Sequence, residues 1–165
     1  MITLVLGGAR SGKSAVAERL ATRSGAPVTY VATAYVGDDG DLAARVAAHQ
    51  LRRPRTWTTI ECGADLAGVL SDVSGTVLVD SIGTWLAALA DTEPDVSRLC
   101  AAIEHRVSDV ILVSDEVGLG VHPSSDVGRR FRDELGTLNQ ALARVADQVL
   151  LVVAGRVLPL TTGDV

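Results

Sequence analysis

Aromatic side chains are scarce in this chain, at 3% of 165 residues, although 47% of the residues are hydrophobic. Stacked rings therefore do not build the core. Valine, leucine, alanine and glycine do, a profile that suits a parallel α/β sheet buried on both faces. Cysteine is nearly absent. Cys62 and Cys100 stand far apart and form no C-x-x-C pair, so two reduced thiols in a cytosolic protein are expected. No apolar run approaches the roughly 20 residues that span a bilayer. The N-terminus reads as a core strand and not as a basic–apolar leader, so a soluble cytoplasmic protein is expected. The net charge of −5 gives no cationic excess and argues against a general nucleic-acid binder, while leaving arginines to gather around a nucleotide. Internal repeats, low-complexity tracts and linkers are missing too. The length suggests one domain, residues 1–160, with TTGDV at 161–165 as a frayed tail.

What is present begins at once. The apolar run Ile2 to Leu6 feeds into Gly7-x-x-x-x-Gly12-Lys13-Ser14, and AVAERLATRSG follows with Ala17, Leu20 and Ala21 at helical intervals. A strand, this pattern and a helix together read as a P-loop. Its glycines let backbone N–H groups wrap a phosphate chain that a Cβ would crowd. Lys13 is placed for the β and γ phosphates, the Ser14 hydroxyl for Mg²⁺, and the helix dipole points at the same anion.

Strands and helices alternate along the rest. Strands are predicted at Val28–Ala32, Trp57–Glu61, Thr76–Asp80, Val110–Ser114 and Val149–Val153, with Val157–Leu160 forming an edge hairpin with the last. Helices are predicted from near Asp41, at Asp65–Leu70, Thr84–Leu89 and Val96–Arg106, and over a long stretch after VGLGVHP. There Phe131, Leu135, Leu138, Leu142 and Val145 recur at spacings of four and three. This alternation implies right-handed crossovers and a mostly parallel sheet with helices on both faces. Ligands bind such sheets outside the carboxyl ends of the strands. The P-loop, Thr33, Glu61, Asp80, Asp115 and Glu116 occupy those ends.

Asp80 closes the apolar strand TVLVD, the usual form of a second P-loop motif whose carboxylate orients Mg²⁺. A turn-capping role is the alternative. Asp115 and Glu116 suit metal binding, proton abstraction or capping of the next turn. His49 sits late in DLAARVAAHQL, with Arg45 before it and Arg52 and Arg53 after it. Cationic neighbours disfavour protonation of an imidazole and would hold a phosphate beside it, so a neutral His49 is a competent phosphorus nucleophile. On the residues alone, a surface histidine in an arginine-rich turn is the plainer reading. Gly136 inside the long helix costs about 1 kcal/mol against alanine, which close approach of a backbone or ligand, or simple tolerance, explains. Arg132 and Asn139 share its face. An Arg129–Asp133 salt pair is the plainer expectation there.

GGARSGKS, Ala32-Thr33, RVAAHQ, Arg53-Pro54 with Trp57, Glu61-Cys62, EVGLGVHP, FRD…G…NQ and LVVAG occur in this order. Together they resemble the bifunctional adenosylcobinamide kinase / adenosylcobinamide-phosphate guanylyltransferases of cobalamin biosynthesis, from Met1 to about Leu160. The resemblance implies a RecA-like P-loop fold and two reactions. ATP or GTP phosphorylates adenosylcobinamide, and GMP from GTP is then attached to adenosylcobinamide phosphate, with release of pyrophosphate. It implies a guanylyl-histidine at His49, with Lys13 as the other catalytic residue. It implies nucleotide contacts at Gly7, Gly8, Ala9, Arg10, Ser11, Gly12, Lys13 and Ser14. Further contacts fall at Ala32, Thr33 and Ala34, at Gln50, Leu51, Arg52 and Arg53, and at Glu61 and Asp80. Mg²⁺ at Ser14 and Asp80 and a propeller-shaped homotrimer are implied as well. The chain departs from the pattern at Asp80, where relatives can have Glu, at Asp115, where Asn is common, and at Ser124–Asp126. Outside the resemblance, the runner-up is a P-loop kinase of another small alcohol, and a third reading is a non-catalytic nucleotide sensor.

Overall fold

The computed structural model describes residues 1–33, 53–89 and 92–162. Seven strands form one sheet in the order β3-β2-β4-β5-β1-β6-β7. They are β1 (Ile2–Gly7), β2 (Val28–Ala32), β3 (Thr58–Glu61), β4 (Thr76–Asp80), β5 (Val110–Asp115), β6 (Gln148–Val153) and β7 (Arg156–Leu160). The first six pair in parallel, and β7 folds back on β6 as an antiparallel hairpin. The expected parallel sheet and its edge hairpin are both present.

Alternation along each strand decides which residues meet which helices. Leu4, Leu6, Val77, Val79, Val110 and Leu112 face one side. There α2 (Leu66–Asp72), α3 (Ile82–Ala88), α4 (Val96–Glu104) and α5 (Asp126–Val145) cover them. Val5, Leu78, Ile111, Val113 and Val152 face the other side, against Val16, Ala17 and Ala21 of α1 (Lys13–Arg23). The small alanines let α1 approach the sheet closely, directly behind the P-loop. The four–three stripe of α5 packs as its spacing predicts: Leu135, Leu138 and Leu142 are buried, and Phe131 and Val145 flank them.

Local chemistry starts the helices. Asp65, Asp95 and Ser125 cap α2, α4 and α5 by accepting the N–H of Gly68, Arg98 and Gly128. Ser81 and Thr84 form a reciprocal capping box, so α3 begins at Ile82, two residues before the expected start. The expected helix from near Asp41 lies outside the described residues.

Two expectations for α5 change. Arg129 pairs with Asp126 and not with Asp133. Its guanidinium also donates to the carbonyls of Pro123 and Ser124, both 3.0 Å away, which turns it toward the helix start. Asp133 pairs with Arg132 instead. A Cβ on Gly136 would meet nothing within 4 Å among the described residues, so none of these residues requires glycine there.

Asn139 of α5 is buried, and it ties the helix to the end of β5. Its Oδ1 accepts the Ser114 hydroxyl at 2.6 Å and its Nδ2 donates to the Asp115 carbonyl at 3.1 Å. Replacing it with alanine leaves a fully buried hydroxyl and a carbonyl without this partner. Asn139→Ala should lower stability by about 1–3 kcal/mol in denaturant melts. An unchanged midpoint would mean that the two groups find other partners at no cost.

Candidate active site

The carboxyl ends of the parallel strands gather the polar residues. Register places Gly7 beside Asp115, and Ala32 beside both Asp80 and Glu61. The P-loop leaves β1 at Gly7. A Cβ there would lie 2.5 Å from Ser11 Oγ and 2.7 Å from the Val152 carbonyl oxygen, so only glycine passes between loop and sheet. Gly12, the N-cap of α1, has φ +94°, the left-handed region that glycine enters without strain. Having no side chain, Gly12 supplies no cap to the helix. This is the arrangement in which first-turn N–H groups serve an anion. The β6–β7 turn pins the loop from outside, since Gly155 N–H donates to the Ser11 carbonyl at 2.8 Å.

Lys13 is the one lysine of the chain. Its Nζ lies 2.6 Å from Asp115 Oδ1 and donates to the Gly8 carbonyl at 3.2 Å. Its side chain is 11% exposed, so this charge pair is shielded from most of the solvent. Asp115 thus takes a role outside the three that its position suggested: it is the counter-ion of the P-loop lysine. Glu116 takes the capping role, accepting Gly118 N–H at 2.6 Å.

Asp80 sits one strand further on. Ser14 donates to its Oδ1 at 3.3 Å and the Tyr30 phenol to its Oδ2 at 3.2 Å. Burial first, then the negative charge of Asp80, push the Tyr30 phenol far above its usual pKa, against a smaller opposing effect of Arg53. The phenol therefore stays protonated and acts as a donor. Thr33 ties the turn after Asp80: its Oγ1 donates to the Ser81 carbonyl and accepts the Ser81 N–H, both at 2.8 Å.

Ser14 and Asp80 present adjacent oxygen donors, the set that suits a hard divalent cation. Among the described residues no group of three or more His, Cys, Asp or Glu could hold a metal alone. A cation here would complete its shell with phosphate oxygens and water, as Mg²⁺ does.

Lys13, Ser14, Thr33 and Asp80 therefore come together with the loop residues Gly7, Gly8, Ser11 and Gly12. Ala9 and Arg10 are exposed on the loop. Glu61 is exposed at the end of β3 and stands apart from this cluster. Of the expected residues, Ala34, His49, Gln50, Leu51 and Arg52 lie outside the described residues, as does Arg45. Arg53 is described, and its guanidinium lies over the Tyr30 ring, 3.2 Å from the centroid. Tyr30, Ser81 and Thr84 are the site residues that sequence reasoning missed. Tyr30 reads there as one more residue of a buried strand. Ser81 and Thr84 carried one usable signal, the spacing of a capping box.

A P-loop closed on a lysine, with a serine and a strand-end carboxylate beside it on a parallel sheet, defines a nucleoside triphosphate-binding protein. The chain matches the model of the family described as cobinamide kinase / cobinamide phosphate guanyltransferase over residues 3–160, and it belongs to that family. It is 41% identical over 169 residues to the bifunctional adenosylcobalamin biosynthesis protein CobP of Pseudomonas aeruginosa, covering 97% of each chain. It is 37% identical over 177 residues to the protein of the same description, CobU, of Escherichia coli, covering 94% of this chain and 97% of that one. Among solved structures it resembles the RadB recombinase with a TM-score of 0.51 and 19% identity, over 91% of this chain and 73% of that one. That likeness supports the RecA-like P-loop fold.

The Lys13–Asp115 pair sets a competition, because an incoming polyphosphate must share Lys13 with a carboxylate or displace it. Asp115→Asn removes the competing charge. GTP should then bind about tenfold more tightly by calorimetry, while GMP, without β and γ phosphates, changes little. Weaker GTP binding would mean that Asp115 holds the loop in shape and does not compete.

Proposed function

We propose that the protein phosphorylates the hydroxyl of the aminopropanol arm of adenosylcobinamide with ATP or GTP. It then transfers GMP from GTP to the new phosphate, giving adenosyl-GDP-cobinamide and pyrophosphate. The observation that carries this reading is the family match over residues 3–160, on a chain whose P-loop lysine is paired with a carboxylate at the strand ends. In the first reaction the hydroxyl oxygen attacks the γ phosphorus, the bond to the β-phosphate oxygen breaks, and the proton passes to solvent. Lys13 and the loop N–H groups hold the phosphates in line. Ser14 and Asp80 would hold Mg²⁺, which neutralises phosphate charge when bound. No helix among the described residues is long and apolar enough to cross a membrane. The reading includes a single catalytic domain over residues 1–160, a homotrimer and a cytoplasmic setting.

In the second reaction His49 is the nucleophile. An imidazole nitrogen forms a bond to the α phosphorus of GTP as the bond to pyrophosphate breaks. A phosphate oxygen of adenosylcobinamide phosphate then displaces the histidine. Arg45, Arg52 and Arg53 neighbour His49 in sequence; they favour the neutral imidazole and attract phosphate. Pyrophosphate leaves into donors already in place at the P-loop. After mixing with GTP and Mg²⁺, the protein should gain the mass of GMP. His49→Ala should lose that gain while still binding nucleotide. Retention of the added mass by His49→Ala would remove the assignment.

Guanine offers two parallel donors, N1–H and its exocyclic amine, which one carboxylate accepts together, whereas adenine presents an unmatched acceptor. Glu61 is the reader in this proposal. It ends β3, two strands from Asp80 and four from Gly7, so roughly 19 Å of sheet separate it from the phosphate loop. That leaves room for an extended nucleotide lying across the strand ends. Glu61→Gln should narrow the preference for GTP over ATP in covalent labelling and leave thermal stability unchanged. An unaltered labelling ratio would move guanine recognition to another residue.

A further inference from the structure

Tyr30 lies outside the residues assigned above to nucleotide or metal, yet it touches both parts of the site. It stands in the middle of β2, 4% exposed, among Val16, Ala17 and Val28. Its hydroxyl donates to Asp80 Oδ2 at 3.2 Å, and the other carboxylate oxygen accepts Ser14. Its ring face carries the Arg53 guanidinium. Arg53 Nε is buried and has no hydrogen-bond partner among the described residues, so the ring supplies the electron density that an acceptor would otherwise give. The contacts Ser14–Asp80–Tyr30–Arg53 therefore run without a break from the P-loop to the residue that leads toward β3. In sequence, Arg53 follows His49 by four residues.

We propose that Tyr30 is a positioning residue with two separable functions. Its hydroxyl orients Asp80 toward Ser14 for a divalent cation bound with nucleotide, and its ring face anchors Arg53 for guanylyl transfer. The second function rests on the proposed role of His49; the first does not. The hydroxyl suits its task because it is a neutral donor. It fixes one oxygen of Asp80 without bringing a charge of its own. The ring suits its task because a guanidinium packed against a face with little solvent around it loses that attraction if the face is removed.

Two substitutions take the functions apart. Tyr30→Phe keeps the ring and loses the hydroxyl, and Tyr30→Leu loses both. The first readout is binding: ATP affinity measured with and without saturating Mg²⁺. Partners that orient metal ligands commonly change metal affinity by about 10–100-fold. Tyr30→Phe should therefore shrink the gain in ATP affinity that Mg²⁺ brings by at least about tenfold. The second readout is the rate of GMP attachment to the protein from GTP at saturating Mg²⁺. Tyr30→Leu should slow it by about tenfold more than Tyr30→Phe does. Arg53→Met approaches from the other side and leaves the core intact, so it serves even if Tyr30→Leu does not fold. It should slow GMP attachment and alter the Mg²⁺-dependent gain in ATP affinity less than Tyr30→Phe does.

The proposal is overturned if Tyr30→Phe keeps the full Mg²⁺-dependent gain. It is also overturned if Tyr30→Phe slows GMP attachment as much as Tyr30→Leu, or if Arg53→Met changes the Mg²⁺ effect as much as Tyr30→Phe. A parent protein that never gains the mass of GMP would instead end the guanylyltransfer reading. The binding arm would still decide the role of the hydroxyl.

Discussion

Strand β1 lies between β5 and β6, and the register of those two pairings decides where the charges of the site stand. It sets Gly7 next to Asp115 on one side and Val152 on the other. The chain has to turn away from the sheet at that point, through a gap that a Cβ would close. Lys13 then enters the first turn of α1 and reaches back beneath the loop to Asp115. Each charge offsets part of the cost of drawing the other out of water. The Asp115 carbonyl is held in turn by Asn139 from α5. A helix on one face of the sheet and the phosphate loop on the other thus meet at a single residue.

Asp80 is fixed by the same logic with different parts. Its side chain accepts bonds from α1 through Ser14 and from β2 through Tyr30, while Thr33 binds both backbone groups of the following Ser81. Ser81 and Thr84 go on to start α3. These contacts use neutral hydroxyls, which hold a carboxylate without cancelling its charge. Lys13 does cancel the charge of Asp115. The two strand-end aspartates are therefore held differently: hydroxyls bond to one, and the lysine pairs with the other.

Most of the architecture was legible because its signals are local. Apolar runs bounded by turn residues marked the strands, Val28–Ala32 and Thr76–Asp80 to the residue, and the spacing of Phe131 to Val145 marked one face of α5. The P-loop was legible because strand, glycines and helix are contiguous. Contacts between distant segments were not. Nothing near position 115 says that its carboxylate will meet Lys13 and not a metal, because strand order decides that. Thr33 could be singled out as a strand end, but not as the clasp of a turn 48 residues away. Tyr30 was invisible for the same reason, since a buried strand gives no hint of which hydroxyl finds a carboxylate. For His49 the residues alone favoured a surface histidine, and only the family resemblance points to a nucleophile.

Topology also gives the site a direction. From β3 to β1 the strand ends carry Glu61, Ala32, Asp80, Asp115 and Gly7 in turn. The acidic side chains are spread along this row, and the cationic loop lies at one end of it. A nucleoside triphosphate carries most of its charge on its phosphates and its hydrogen-bond donors on the base. The proposed function uses this asymmetry, with phosphates at the Lys13 end and the donors of a guanine at Glu61. In the proposed chemistry one such orientation serves both reactions. The γ phosphate lies over the lysine for transfer to an alcohol, and the α phosphate falls between loop and base, where a nucleophile from the segment leading to Arg53 would have to act. The ring of Tyr30 lies between Asp80 and Arg53.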